Sequence, residues 1–357
     1  MIEHLVIGGG ISGLLTAYYL VRSGKSVCLL ERGLVGRESS WAGGGILSPL
    51  HPWNYPQAVT QLVQWSQQEY PRLVQDLLVN TQIDAELVQN GMLILDEADM
   101  VTPLEWGANT NTPLSAIDAA QIARLEPALH EPPRRALWMP EVSQVRNPRL
   151  VKALREYLLR HGVSIQENTE VTTVLSEHDQ VLGVKTEQTD FHCENITITC
   201  GAWSSGLWPA EEKPLPVKPI RGQMIMIKSR PGLIKRMVLS NNHYVIPRQD
   251  GRVLVGSTLE DVGFDKTTTQ YAHDLLLEFA YDLLPVLREF KVERHWAGLR
   301  PATPDNIPRI MKHPTIKGLY INAGHFRNGV VTAPASAQLL VNLMLKDLPI
   351  LDASPYC

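Results

Sequence analysis

Apolar positions along this chain repeat with two periods, and the alternation between them sketches a mixed α/β protein. A short apolar run at residues 4–7 precedes Gly8-Gly9-Gly10-Ile11-Ser12-Gly13, and a helical pattern follows through Leu14, Leu15, Tyr18, Tyr19 and Leu20. A second apolar run, 26–30, leads into Glu31. Strand, turn, helix and strand in that order predict one βαβ unit. Residues 61–80 carry helical spacing through Leu62, Tyr70, Leu73, Val74 and Leu77, with a kink expected at Pro71. Residues 91–95 read as a strand. The polar, proline-bearing stretch 97–140 reads as a cap with a short helix near 119–125. Asn147 is placed to cap a helix whose first position is Pro148, whose buried face is Leu150, Val151, Leu154, Tyr157 and Leu158, and which Gly162 closes.

Short strands at 163–166, 171–175, 181–186 and 196–200 predict a small meander set into the α/β core. Beyond Gly222 the character changes. Strands are expected at 223–228, 243–248 and 252–257, the last two joined by the hairpin pair Asp250-Gly251. A helix at 272–287 and a strand at 292–299 complete what reads as an antiparallel sheet with helices on one side. A strand at 318–322, a glycine-bounded loop at 323–330 and a helix through Ala335, Leu339, Leu340 and Leu343 then form a second strand–loop–helix element.

The first glycine cluster is a G-x-G-x-x-G in its full context. Gly8 allows the tight turn, Gly10 lets a pyrophosphate approach the backbone, and Gly13 permits close packing of helix on strand. The phosphates meet free N–H groups where the helix dipole favours negative charge. Glu31 is placed to accept hydrogen bonds from an adenosine ribose. The spacing leaves NAD and FAD equally open.

Composition narrows the partners. Apolar and charged fractions of 44% and 20% fit a soluble globular chain, and a formal net charge of −4 gives no general attraction to nucleic acid or an anionic membrane. The four cysteines show no metal-ligand spacing, no apolar stretch is long enough to span a bilayer, and with a strand beginning by residue 2 no presequence is expected. A reducing cytoplasm is the expected compartment.

Five motifs in order carry a resemblance: the N-terminal glycine cluster, Ser39-Ser40-x-Ala42-Gly43-Gly44, Thr199-Cys200-Gly201-Ala202-Trp203-Ser204, Gly298-Leu299-Arg300-Pro301, and Gly324 to Gly329. Together they resemble the D-amino acid oxidase superfamily of FAD enzymes over essentially the whole chain. Residues 243–248 and Gly256-Ser257-Thr258 look most like its glycine-oxidising branch, which serves thiamine biosynthesis. Cys200 departs from the small Ala or Thr usual there, with no functional consequence expected. The resemblance implies FAD rather than NAD. It also implies a Rossmann-like FAD-binding domain of the glutathione-reductase type (1–83, 140–220 and 298–357) with a discontinuous antiparallel-sheet substrate domain (84–139 and 221–297). Cofactor-contacting positions match Gly8, Gly10, Ile11, Ser12, Gly13, Glu31, Arg32, Ser39, Ser40, Gly44, Gly45, Ile46 and Val171. His325, Phe326, Arg327, Asn328, Gly329, Val330 and Val331 match the rest. No cysteine lies shortly before the C-terminal motif, so the FAD is expected to be noncovalent. The family also implies dioxygen as acceptor and suggests a homotetramer.

The residues themselves support this. A helix N-terminus at 328–330 would stabilise negative charge on a reduced flavin. Holding an α-amino acid calls for a planar guanidinium that binds both carboxylate oxygens. Arg300 closes an apolar strand where an unpaired cation is costly, so it is expected to meet either an acidic side chain or a substrate. Tyr244 is expected to donate its hydroxyl to the same carboxylate, and Arg327 matches a further substrate contact. The expected activity is oxidative deamination of glycine and other small amines, such as sarcosine and small D-amino acids, to an imine, then a 2-oxo acid, ammonia and hydrogen peroxide. The alternatives are a D-amino acid or sarcosine oxidase or dehydrogenase and an FAD domain acting on modified tRNA, which the acidic charge disfavours. A non-catalytic nucleotide sensor would give Arg300 and Tyr244 no purpose.

Overall fold

Strand Ile2–Ile7, helix Ile11–Arg22 and strand Val27–Leu30 form the expected βαβ unit, with the two strands paired in parallel. The computed structural model describes residues 2–96, 98–209 and 214–357. The first sheet runs in the order Arg309–Lys312, Leu319–Ala323, Asp190–Ile198, Ile2–Ile7, Val27–Leu30, Ser164–Gln166. All neighbours are parallel except the first pair. Its central strands are apolar on both faces because both are covered. Val6 and Leu29 face helices Ile11–Arg22, Gln57–Thr81, Asn147–Arg160 and Gly329–Leu345. Leu5, Ile7, Cys28 and Leu30 face the meander strands Val171–Glu177 and Gln180–Thr186 and Trp208.

The second sheet runs Val292–Ala302, Lys218–Lys228, Arg252–Gly256, His243–Pro247, Met237–Ser240, Met92–Ile94, Arg135–Met139, Ser115–Asp118. It is mixed rather than wholly antiparallel: Met237–Ser240 pairs in parallel with Met92–Ile94. Period-two alternation divides its side chains. Ile225, Ile227, Val245 and Val255 pack under helix Gln270–Leu283. Met224, Tyr244, Ile246 and Leu254 form the opposite layer, with Leu50 and Trp53.

Several elements differ from expectation for identifiable reasons. Helix Gln57–Thr81 is longer than its pattern, and Pro71 sits within it. The helix expected over 272–287 is Gln270–Leu283, which ends before Pro285, and Pro285 starts a separate short turn, Pro285–Glu289. Asn147 does not cap its helix; Arg146 holds that position, and Asn147 instead donates to the carbonyls of Ser40 at 2.7 Å and Gly43 at 2.8 Å. Its amide therefore shapes the glycine-rich loop. No helix among the described residues is long and apolar enough to cross a membrane.

Candidate active site

The two sheets meet across a cavity of about 520 Å³. At one end it is lined by Gly8, Gly10, Ile11, Ser12, Glu31 and Arg32, and at the other by Gly222, Met224, Tyr244, Ser257 and Arg300. Ser39, Ser40, Gly44, Gly45, Ile46, Val171 and residues 325–330 lie between. Two expected positions fall outside. A side chain at Gly13 would meet Gly8 O at 2.0 Å, so that glycine serves helix-to-turn packing. Val331, in the first turn of the C-terminal helix, points into the core.

Backbone donors dominate the first end. Helix Ile11–Arg22 has no side chain capping it from Gly10, although Ser40 Oγ accepts the Ile11 N–H at 2.8 Å. Glu31 accepts from Gly9 N at 2.7 Å and Gly33 N at 2.9 Å, which fixes its carboxylate while leaving lone pairs for a further donor. The Arg32 guanidinium lies 3.7 Å above the Trp203 ring. The glycine loop is pinned from behind: Arg248 donates to Gly44 O at 2.9 Å and Val145 O at 3.0 Å, and also to Gln144 Oε1. Midway along the cavity, helix Gly329–Leu345 begins at Gly329, again without a side-chain cap. Two helix N-termini opening on one elongated cleft suit an anionic dinucleotide whose ring end gains electron density.

The far end is built around two arginines on adjacent strands with opposite fates. Arg221 is buried and ion-paired to Glu260 and Asp265, each at 2.6 Å. Arg300 donates to Ser257 Oγ at 2.7 Å, Thr258 O at 3.1 Å and Arg221 O at 3.3 Å, all neutral atoms. Burial lowers its pKa, and nearby Arg327 acts in the same direction while Tyr244 and the charge of Glu260 oppose it. The Glu260 carboxylate is ion-paired to Arg221, and Arg300 itself hydrogen-bonds only neutral atoms, which leaves its charge open to an anion in the cavity. Gly222 makes this possible, since a Cβ there would lie 2.1 Å from both terminal guanidinium nitrogens.

The sequence pattern gives Gly222, Ser257 and Met224 no role at the site, although Ser257 lies in one of the motifs that carry the resemblance. The signal lies in register: Gly222 stands opposite Gly298, two glycines facing each other inside long apolar strands, which marks a close approach. Tyr244 is buried with its hydroxyl 3.7 Å from Met224 Sδ. Arg327 lines the same cavity.

The histidines are not equivalent. His325 is enclosed, with Nε2 2.7 Å from Asn322 Oδ1 and Nδ1 2.9 Å from Thr332 Oγ1, and burial lowers its pKa to about 4. It is neutral at pH 7 and braces the loop. Below pH 6.5 the unfolded chain binds a proton there that the native state refuses, so native stability falls as pH drops towards 4. The expected loss from this group is on the order of 3 kcal/mol at about pH 4. Denaturant titrations from about pH 7 to about pH 4 check this, and His325→Gln should flatten the slope.

A cleft suited to a dinucleotide, joined to a pocket that bears a guanidinium, fits one class, a dinucleotide-dependent oxidoreductase. Residues 3–343 match the family described as DAO, FAD dependent oxidoreductase, and the chain belongs to that family. FAD is therefore its dinucleotide. It is 44% identical to glycine oxidase of Pseudomonas putida, over 99% of this chain and 97% of that protein. It is 32% identical to the bifunctional protein ThiO/ThiG of Synechocystis, over 96% of this chain and 51% of that one. Among solved structures, glycine oxidase from Geobacillus kaustophilus superimposes with a TM-score of 0.93 at 26% identity, covering 99% of this chain and 97% of the other.

Proposed function

We propose that this protein oxidises glycine and other small amines such as sarcosine and small D-amino acids, with FAD lying extended and its ring end at Gly329 and Val330. The stoichiometry is glycine, water and dioxygen to glyoxylate, ammonia and hydrogen peroxide. FAD would supply the two-electron acceptor that dioxygen then reoxidises. Arg300 binds the substrate carboxylate with its planar fork, Tyr244 donates its hydroxyl to the same group, and Arg327 adds a second cation. With the carboxylate fixed, the Cα–H is oriented toward the ring, and positioning supplies most of the rate. Met224 and Leu50 line the cavity and limit the room for a substrate side chain.

The observation that carries this reading is the contrast between Arg221, which is neutralised by two carboxylates, and Arg300, which is bonded to neutral atoms. In this reading 1–83, 140–220 and 298–357 hold FAD noncovalently, and 84–139 and 221–297 shape the substrate pocket. The enzyme works as a cytoplasmic homotetramer that feeds thiazole formation in thiamine biosynthesis, a compartment in which its free cysteines stay reduced. Oxygen uptake with glycine, sarcosine, D-alanine and D-proline, compared by kcat/KM, tests it. Uptake with glycine is expected. Absence of uptake with all four would overturn it.

A further inference from the structure

The helix whose N-terminus opens on the cavity carries a proline in its first turns. In a regular helix the N–H of residue 334 would bond to the carbonyl of Val330. Pro334 has no N–H, and its ring crowds that carbonyl. The Val330 carbonyl is nonetheless satisfied. The Tyr70 hydroxyl, reaching from helix Gln57–Thr81, donates to it at 2.5 Å. One turn earlier on the same helix, buried Ser66 accepts the Ala335 N–H at 3.0 Å. These two bonds bracket the proline. On the other side of the turn Thr332 Oγ1 lies 2.9 Å from Asn328 O.

We propose that Tyr70 is a positioning residue for the redox site: its hydroxyl replaces the donor that Pro334 lacks and so fixes the turn that presents Gly329 and Val330 to the cavity. Tyr70 is fully enclosed, and burial pushes its pKa upward, so the phenol keeps its proton at any pH the enzyme meets. An uncapped helix N-terminus stabilises negative charge only within its first turn, so a small tilt there alters the field on a bound ring. Without the hydroxyl the Val330 carbonyl loses its donor in a buried place, and the turn relaxes to seek another. This rests on the flavin ring lying at Gly329 and Val330.

The test is the two-electron midpoint potential of the FAD-loaded protein, measured without glycine so that substrate identity does not enter. Tyr70→Phe keeps the ring in the core and should lower the reduced-to-oxidised ratio at a given potential about tenfold, a shift of about 30 mV to the negative side. Tyr70→Phe with Pro334→Ala returns a backbone N–H to the Val330 carbonyl and should restore the potential. Leu77→Ala, which opens a cavity elsewhere in the same helix, should lower the melting temperature and leave the potential alone. A wild-type potential in Tyr70→Phe, or a double variant that stays shifted, would overturn the proposal. Val330→Asp separates the underlying placement from the proposal. If its added charge leaves the potential unmoved, the ring is not there and the inference falls with it. If Val330→Asp shifts the potential while Tyr70→Phe does not, the inference alone fails.

Discussion

Arg300→Ala lowers kcat/KM for glycine by about 10²–10⁴-fold while FAD stays bound. Hydrogen bonds to a charged group are worth about 1.5–3 kcal/mol each, and a fork gripping both carboxylate oxygens makes two. Their loss removes about 3–6 kcal/mol of stabilisation, which converts directly to the fall in kcat/KM. The fold should survive, because the atoms left behind are neutral: Ser257 Oγ, Thr258 O and Arg221 O. No buried carboxylate loses its counter-charge, whereas the same change at Arg221 would strand Glu260 and Asp265. Arg300→Lys restores charge without the planar fork and should recover only part of the loss. Steady-state oxygen uptake measures both variants. Unchanged KM and kcat in Arg300→Ala would remove this residue from substrate binding.

Arg248→Met should destabilise the protein far more than Arg300→Ala does. This cation is buried beneath the glycine loop, where burial and neighbouring Arg146 bring its pKa down to about 10. It serves three acceptors at once: Gly44 O, Val145 O and Gln144 Oε1. Methionine fills similar space and satisfies none of them. At about 1–3 kcal/mol for each of three buried acceptors left without a donor, the cost is roughly 3–9 kcal/mol. For a chain of this size that is a drop of roughly 4–12 °C in melting temperature. Gly44 lies against Ile246 and Tyr244, where an added Cβ would come within 2.6 Å of Ile246 Cδ1. Freeing its carbonyl therefore loosens the wall of the cofactor cleft as well, and the Kd for FAD should rise about tenfold. Thermal denaturation of the apoprotein and FAD titration check the two parts separately. A variant that melts with wild type and binds FAD equally well would show that Arg248 does not hold the loop.

Much of the fold is readable in the sequence because its signals are local. The G-x-G-x-x-G, the apolar strands on either side and the acid at Glu31 lie close together along the chain, and the structure brings all of them to one turn. Arg300 can be singled out because a cation inside an apolar strand demands a partner, though its neutral hosts lie on a strand and loop far away in sequence. What the sequence conceals has two physical origins. Elements such as Met237–Ser240 and Arg309–Lys312 are too short for a period to register. Ser115–Asp118 buries only Ile117, and helix Val101–Thr110 contains both Pro103 and Gly107. The braces of the site are the second case. Tyr70 reaches Val330 across a separation of 260 residues and Arg248 reaches Gly44 across 204. Asn147 misleads because an amide before Pro148 suits a cap equally well, and only tertiary packing turns it toward the loop at Ser40 and Gly43.

The most direct measurement is made without oxygen, by mixing the FAD-loaded protein with glycine and following the visible flavin absorbance. The wild-type band should bleach within turnover times, and in Arg300→Ala it should bleach only at far higher glycine concentration. A band that glycine leaves unbleached in the wild type, or that bleaches identically in the two proteins, would contradict the assignment of this cavity.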